Sequence, residues 1–181
     1  MIGSIRFIGI LNASVWLGAV VFFTLSAGPA FFSDKMLQLL GRPHAGAAVQ
    51  VVLERYYLFQ YCCAAIAVLH LLVEWLYTGR PLQKVRLGML VVLLFLVLLS
   101  GMWLEPKLER LHREVHGIRA APAPAQVEKA RRSFGWWHGT SQFFNLLTLA
   151  GLLANFWYIT HPQDSPRFIS PTKFTLESLR G

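Results

Sequence analysis

Charge is scarce in this chain. Only 14% of its 181 residues are Asp, Glu, Lys or Arg, where a soluble domain carries nearer a quarter. That deficit argues against a water-soluble globular enzyme, and the 55% hydrophobic content argues against disorder. Cysteine is almost absent. The two present, Cys62 and Cys63, are adjacent, so they make neither a disulfide framework nor a CxxC pair. They read as small apolar packing residues. No GxSxG, HExxH, Walker loop or GxGxxG occurs, so the usual hydrolase, metalloprotease and nucleotide-binding signatures are missing. No internal repeat is evident.

What is present is apolar length, and the mean hydropathy is +0.47. Four runs approach or exceed the ~20 residues that a bilayer requires: about 5–27, 52–77, 87–104 and 134–159. Lipid offers no partners to backbone N–H and C=O groups, so each run must be a helix. The expected fold is an all-α integral membrane four-helix bundle. Residues 1–160 form its transmembrane domain and residues 161–181 a polar tail. The first run loosely imitates a signal peptide, but its apolar stretch is long, and it reads as a retained helix. Aromatic residues gather near the proposed interfaces: Tyr56 and Tyr57, Trp75 and Tyr77, Trp136 and Trp137, Trp157 and Tyr158.

The connections differ in kind. Gly79-Arg80-Pro81 predicts a tight turn between the second and third spans. About 25 residues separate the first two, with a short helical piece near 34–40. After the third span, Leu104, Leu108, Leu111 and Val115 recur at helical spacing. This predicts an amphipathic extension beyond a kink at Pro106, its apolar face on the headgroup boundary. Residues 120–125, alternating Ala and Pro, read as a stiff linker.

Seventeen Lys and Arg against nine Asp and Glu give a charge of +8. The apolar runs push this charge into the connections, where lipid phosphates are a simpler partner than nucleic acid. An even number of spans puts both termini on one side, here called side A. Side A holds seven of the basic residues and side B ten. The bias leans toward a cytoplasmic side B.

Ionisable and amide groups inside spans are the functional candidates. At 100° per residue, Tyr56, Gln60, Cys63, Ala67, His70 and Glu74 share a face of the second span. His138, Ser141, Gln142, Asn145 and Thr148 share one on the fourth. Asn12 and Trp16 share one on the first, and Gly101 aligns with Glu105 on the third. Glu105, His138, Tyr57 and Arg132 fall near side B, and His70 and Glu74 nearer side A. A salt bridge between Arg132 and Glu105 is expected. His138, His70 and Glu74 are weak metal candidates, as is the i,i+4 pair His112 and His116.

Several strings carry a family likeness: Trp16-Leu-Gly18, Pro29-Ala-Phe31, Tyr57, Trp103-Leu-Glu-Pro106, and Arg132-x-Phe134-x3-His138-Gly-x-Ser141-x3-Asn145. Together, over about Ile8–Tyr158, the chain resembles the transmembrane protein 205-like family, a group of unknown function. The resemblance implies a small four-helix integral membrane protein without a settled activity. The family has been linked to tolerance of metal-containing compounds, which identifies no ligand. The matched positions cluster on side B.

Three functions compete. The first is binding, or help in transport, of a small solute, cofactor or metal in a side-B pocket formed by His138, Glu105, Asn145 and Ser141, with Arg132 alongside and Trp16 and Tyr57 as walls. The second is a structural subunit that docks another membrane protein through the amphipathic segment. The third is a haem- or quinone-linked redox protein using His138 or His70. The cofactor is open, and an enzyme is the less favoured reading. The bilayer is the expected partner, with a homo-oligomer or a membrane-protein partner beside it. The expected location is a multi-pass position in the inner membrane if the source is bacterial.

Overall fold

The computed structural model describes residues 2–78, 84–116 and 124–161. Helix α1 (Ile2–Phe22) widens into a π turn at Phe23–Ala27 and ends in α2 (Gly28–Phe31). Helix α3 (Asp34–Thr78) turns back along it. Helix α4 (Lys84–Leu98) passes through a second π turn, Leu99–Leu104, into α5 (Glu105–His116), and α6 (Pro124–Thr160) closes the bundle. Among the described residues the structure is all-α, and four helices are long and apolar enough to cross a membrane: Gly3–Phe31, Asp34–Tyr77, Lys84–Val115 and Ala125–Thr160. The expected turn at Gly79-Arg80-Pro81, linker residues 120–123 and the tail from 162 lie outside the described residues.

Both π turns have one cause. A proline ring strikes the carbonyl four residues before it and offers that carbonyl no N–H. Pro29 would strike Leu25, and Pro106 would strike Met102. Each of those residues lies inside a π turn. Widening the helix there moves the carbonyl aside. The closing bonds run from Gly28 N–H to the Phe23 carbonyl and from Glu105 N–H to the Ser100 carbonyl. The kink expected at Pro106 is therefore spread over the turn before it. Pro106 itself sits in the first turn of α5, where its missing N–H costs little.

The loop expected between the first two spans is mostly helical. After the turn at 32–33, α3 starts at Asp34, whose charge suits a helix N-terminus. It breaks once, at Gly41, which has φ 69° and ψ 159°. That region is essentially open only to glycine. Pro43 then sits near the start of the resumed helix, and His44 Nδ1–H donates to the Leu40 carbonyl at 3.1 Å, across the break. Gly41→Ala is expected to destabilise the protein by about 1–3 kcal/mol, read as an earlier unfolding midpoint in mixed micelles.

The helices pack antiparallel and stay in register over long distances. Arg6 donates to the Thr160 carbonyl at 3.5 Å, so α1 begins where α6 ends. Along α1 and α3, Asn12 Nδ2 donates to the Cys63 carbonyl at 2.9 Å, and Phe23 stacks on Tyr56 at 4.3 Å. Along α3 and the third helical run, contacts pass from Glu74–Arg86 at one end to the Pro43 carbonyl and His112 at the other. Trp16, Val20, Tyr56, Cys63, Ala64, Leu93, Val97 and Leu152 make the central core. The outward faces are apolar as well, with Phe7, Phe22, Val91, Phe95, Phe143 and Leu153 all exposed. Apolar surface on both sides of a helix matches hydrocarbon rather than water.

The face of α5 expected on the headgroup boundary is turned inward instead. Leu108, Leu111 and Val115 are half-buried and His112 is buried, with α5 packed along α6. His112 Nε2–H donates to the Pro43 carbonyl at 3.2 Å, and its ring occupies the space beside Gly46.

Candidate functional site

The side-B residues do not converge on one pocket. His138 is exposed on α6. It stacks on Phe134 at 5.7 Å and accepts from Gln142 Nε2 at 3.2 Å, both neighbours on its own helix. No hydrogen bond joins it to Glu105 among the described residues. Trp137 is the reason. It meets Trp103 edge-on at 5.2 Å, and Lys107 Nζ lies 3.4 Å from the centre of its ring. With Trp137 filling the seam between α5 and α6, the next residue points about 100° away, outward. Arg132 is exposed too and pairs with Glu128 at 3.0 Å rather than with Glu105. Exposed i,i+4 pairs of this kind contribute about 0.3–0.5 kcal/mol. Accordingly, Arg132→Gln and His138→Ala should each leave the unfolding midpoint almost unchanged, within about 0.5 kcal/mol. A larger loss at either position would contradict this geometry.

The remaining candidates sort by depth. Near side B, Ser141 hydrogen-bonds Tyr57, and the Glu105 carboxylate is an electrostatic neighbour of Tyr57 and Tyr61. Both tyrosines crowd Gly101, which leaves room for them. One level deeper, Asn145 joins three helices: its Nδ2 donates to Thr24 Oγ1 at 2.7 Å, and Tyr56 Oη donates to its Oδ1 at 3.3 Å. Deeper still, Trp16 is buried and its Nε1–H donates to Gln60 Oε1 at 3.4 Å. Ser141, Tyr57, Asn145, Tyr56, Trp16 and Gln60 are each bonded across a helix interface, which is what the apolar interior demands. Val20, Leu93, Val97 and Leu152 fill the bundle between its two polar ends.

The densest buried polar cluster is at side A. Arg86, on the first turns of α4, forms an ion pair with Glu74 of α3. Its Nη2 also donates to His70 Nδ1 at 3.1 Å. Since Nδ1 accepts, the ring proton lies on Nε2, which donates to the Ile5 carbonyl at 2.9 Å. His70 thus bridges α1 to α4 as a neutral imidazole. Glu74 Oε2 is 3.9 Å from His70 Nδ1, with Arg86 serving both. Gly9 makes the approach of α1 possible, because a Cβ there would run into the His70 ring.

Beside this network is a cleft lined by Gly9, Asn12, His70, Arg86, Leu90 and Asn155, among others. Asn155 is 1% exposed and Arg86 9%. Asn155 Oδ1 and Arg86 Nε are buried without a hydrogen-bond partner among the described residues. Leaving such a group unmatched costs about 1–3 kcal/mol, and both belong to residues that line this cleft.

The three weak metal candidates are divided by this arrangement. His138 is at one end of the bundle, while His70 and Glu74 are at the other, held by Arg86. No group of three or more His, Cys, Asp or Glu side chains suited to a metal stands together among the described residues. Sequence reasoning included His70, Glu74 and Asn12 but missed Arg86 and Asn155. Asn155 had a signal, because it follows Ser141 and Thr148 at seven-residue steps and so shares their face. Arg86 reads as a flanking charge until α4 is seen to begin at Lys84.

No curated protein and no solved structure matches the chain. One family does, over residues 11–116, a stretch that holds Asn12, His70, Glu74 and Arg86 and ends before α6. That match spans more than half of the sequence, and the chain belongs to the family described as a domain of unknown function, DUF4149.

Proposed function

We propose that the protein is a multi-pass membrane protein of the transmembrane protein 205-like kind that binds a small polar solute inside its bundle and helps to move it. In this reading residues 1–160 act as one four-span unit, in the inner membrane if the source is bacterial. The excess of basic residues on side B, ten against seven, supports a cytoplasmic side B. The binding site is the side-A cleft beside His70 and Arg86, not a pocket at His138 and Glu105. One observation supports the assignment: Arg86 and Asn155, which line the cleft, each hold a buried polar atom, Nε and Oδ1, without a partner among the described residues. Asn12 lines it too and supplies a further amide. Small polar ligands are oriented by a few such groups within apolar walls.

The test is thermal unfolding of the full chain in lipid nanodiscs with sodium formate, ammonium chloride or formamide, against sodium chloride. A ligand of the folded state raises the midpoint by mass action. At least one additive should stabilise the native sequence and lose that effect in Asn155→Leu, where the cleft is filled. Equal midpoints for both proteins in every additive would defeat the assignment.

A further inference from the structure

We propose that the outward face of α6 is the docking surface for a second copy of this chain, joined through His138 and Gln142 of each copy. The surface is separate from the side-A cleft and stands or falls without it. Three observations converge on it.

The first is an unfinished hydrogen-bond pair. His138 and Gln142 are exposed on α6, and Gln142 Nε2 donates to His138 Nε2 at 3.2 Å. The ring proton is therefore on Nδ1. One donor, His138 Nδ1–H, and one acceptor, Gln142 Oε1, are left without a protein partner among the described residues. Ser14, Thr140 and Thr160, by contrast, return their hydroxyls to the carbonyl four residues back on their own helix. The second is depth. Trp136 and Trp157 are both exposed and stand about 30 Å apart along the helix, the thickness of a hydrocarbon core. Gln142 lies about 9 Å inside that interval, with Phe143 and Leu146 exposed beside it. Lipid offers neither donor nor acceptor there. The third is clearance. Gly135 and Gly139 lie on the same side of α6 as the pair, and a Cβ built on either meets nothing within 4 Å. Packing inside the chain does not call for glycine at these positions, whereas close approach of a second helix does.

The pair is complementary to itself. Hydrogen bonding within the chain brings the two polar ends to nearly one height. Two copies inserted in the same direction, related by a two-fold axis along the membrane normal, bring equal heights together. Nδ1–H of each His138 then donates to Oε1 of the partner's Gln142, and two bonds close at once. An unrelated partner would have to present an acceptor and a donor in matching places, which a second copy does by symmetry. Charge does not oppose the approach, because Arg132 on the same helix is matched by Glu128. Both side chains point away from their own bundle. Their replacement therefore weakens association while the single chain keeps its unfolding midpoint.

Resonance energy transfer between donor- and acceptor-labelled copies of the full chain tests this, in phosphatidylcholine vesicles with the protein progressively diluted in lipid. The native chain should associate. Gln142→Leu should raise the protein density needed for half-association about tenfold, the effect of losing two interhelical hydrogen bonds. Gly139→Leu should raise it at least as far, by holding the helices apart. Phe95→Leu, on the exposed side of α4, should leave it unchanged. The double variant His138→Leu/Gln142→Leu should lose no more than Gln142→Leu alone, because both side chains serve the same two bonds. Should Gly139→Leu fail to fold, the Gln142 and double variants decide the matter. Transfer in the native protein no greater than chance proximity overturns the proposal. So does association that Gln142→Leu leaves intact, or that Phe95→Leu weakens equally. Losses at His138 and Gln142 that add independently would place the two side chains in separate contacts and overturn the pairing.

Discussion

Arg86→Leu should lower the stability of the folded protein by about 3 kcal/mol. Removing one partner of a buried ion pair costs about 3–5 kcal/mol, and the lower end applies because the Glu74 side chain is 41% exposed and keeps some access to solvent. The loss has two parts. Glu74 is deprived of its guanidinium, and His70 Nδ1 loses the donor that fixes its tautomer. Arg86→Lys separates them. An ammonium can meet the carboxylate, but it cannot fork to carboxylate and imidazole as a planar guanidinium does. It should recover more than half of the loss. The measurement is reversible unfolding by SDS in mixed micelles, with tryptophan fluorescence as the signal. A Leu variant as stable as the native protein would mean that the cluster contributes nothing to holding α3 and α4 together.

Gly9→Ala should be nearly as damaging, at about 1–3 kcal/mol, although it adds a single methyl group to a position on α1. The added Cβ lands on the His70 ring. The imidazole cannot retreat without leaving the Ile5 carbonyl on one side or Arg86 on the other. The prediction has an internal control. His70→Ala removes the ring and so makes room, and the double variant should be more stable than the sum of the two single losses. Strict additivity would show that the methyl group is accommodated elsewhere. Gly18, which meets no atom within 4 Å of a built Cβ, supplies a second control. Gly18→Ala should be neutral or slightly stabilising, because alanine is the better helix former.

The spans were legible because hydrocarbon imposes a simple rule on composition, and the chain obeys it four times. The inward face of α3 was legible as well. Gln60, Cys63 and His70 were placed on one face by spacing alone, and all three are buried. The fourth span was harder. A helical wheel groups His138 with Ser141 and Asn145, but it holds no information about Trp137, and it is the Trp137–Lys107–Trp103 stack that decides which side of α6 meets α5. Depth also misled. Residues near side B formed the longest recognisable strings, yet the buried cluster formed at the other end, around an arginine that looked like a flanking charge. Such residues are ambiguous in sequence. Their long stems let them reach the headgroup region or fold back into the bundle, and only the position of Glu74 selects between the two.

The wide turns at Phe23–Ala27 and Leu99–Leu104 set where each span tolerates a change of length. Each turn holds one residue more than an α-helical turn would. Losing a single codon there keeps the residues on either flank in phase with their partners. The tightened turn, however, brings the proline ring back onto the carbonyl four residues before it, so the loss is borne only where the proline is replaced as well. The same loss anywhere else in the first or third span would rotate everything beyond it by about 100°, carrying Asn12 or Arg86 out to the lipid. Natural variants of this chain that are one residue shorter in these spans should therefore place the gap in these turns and lack Pro29 or Pro106 with it.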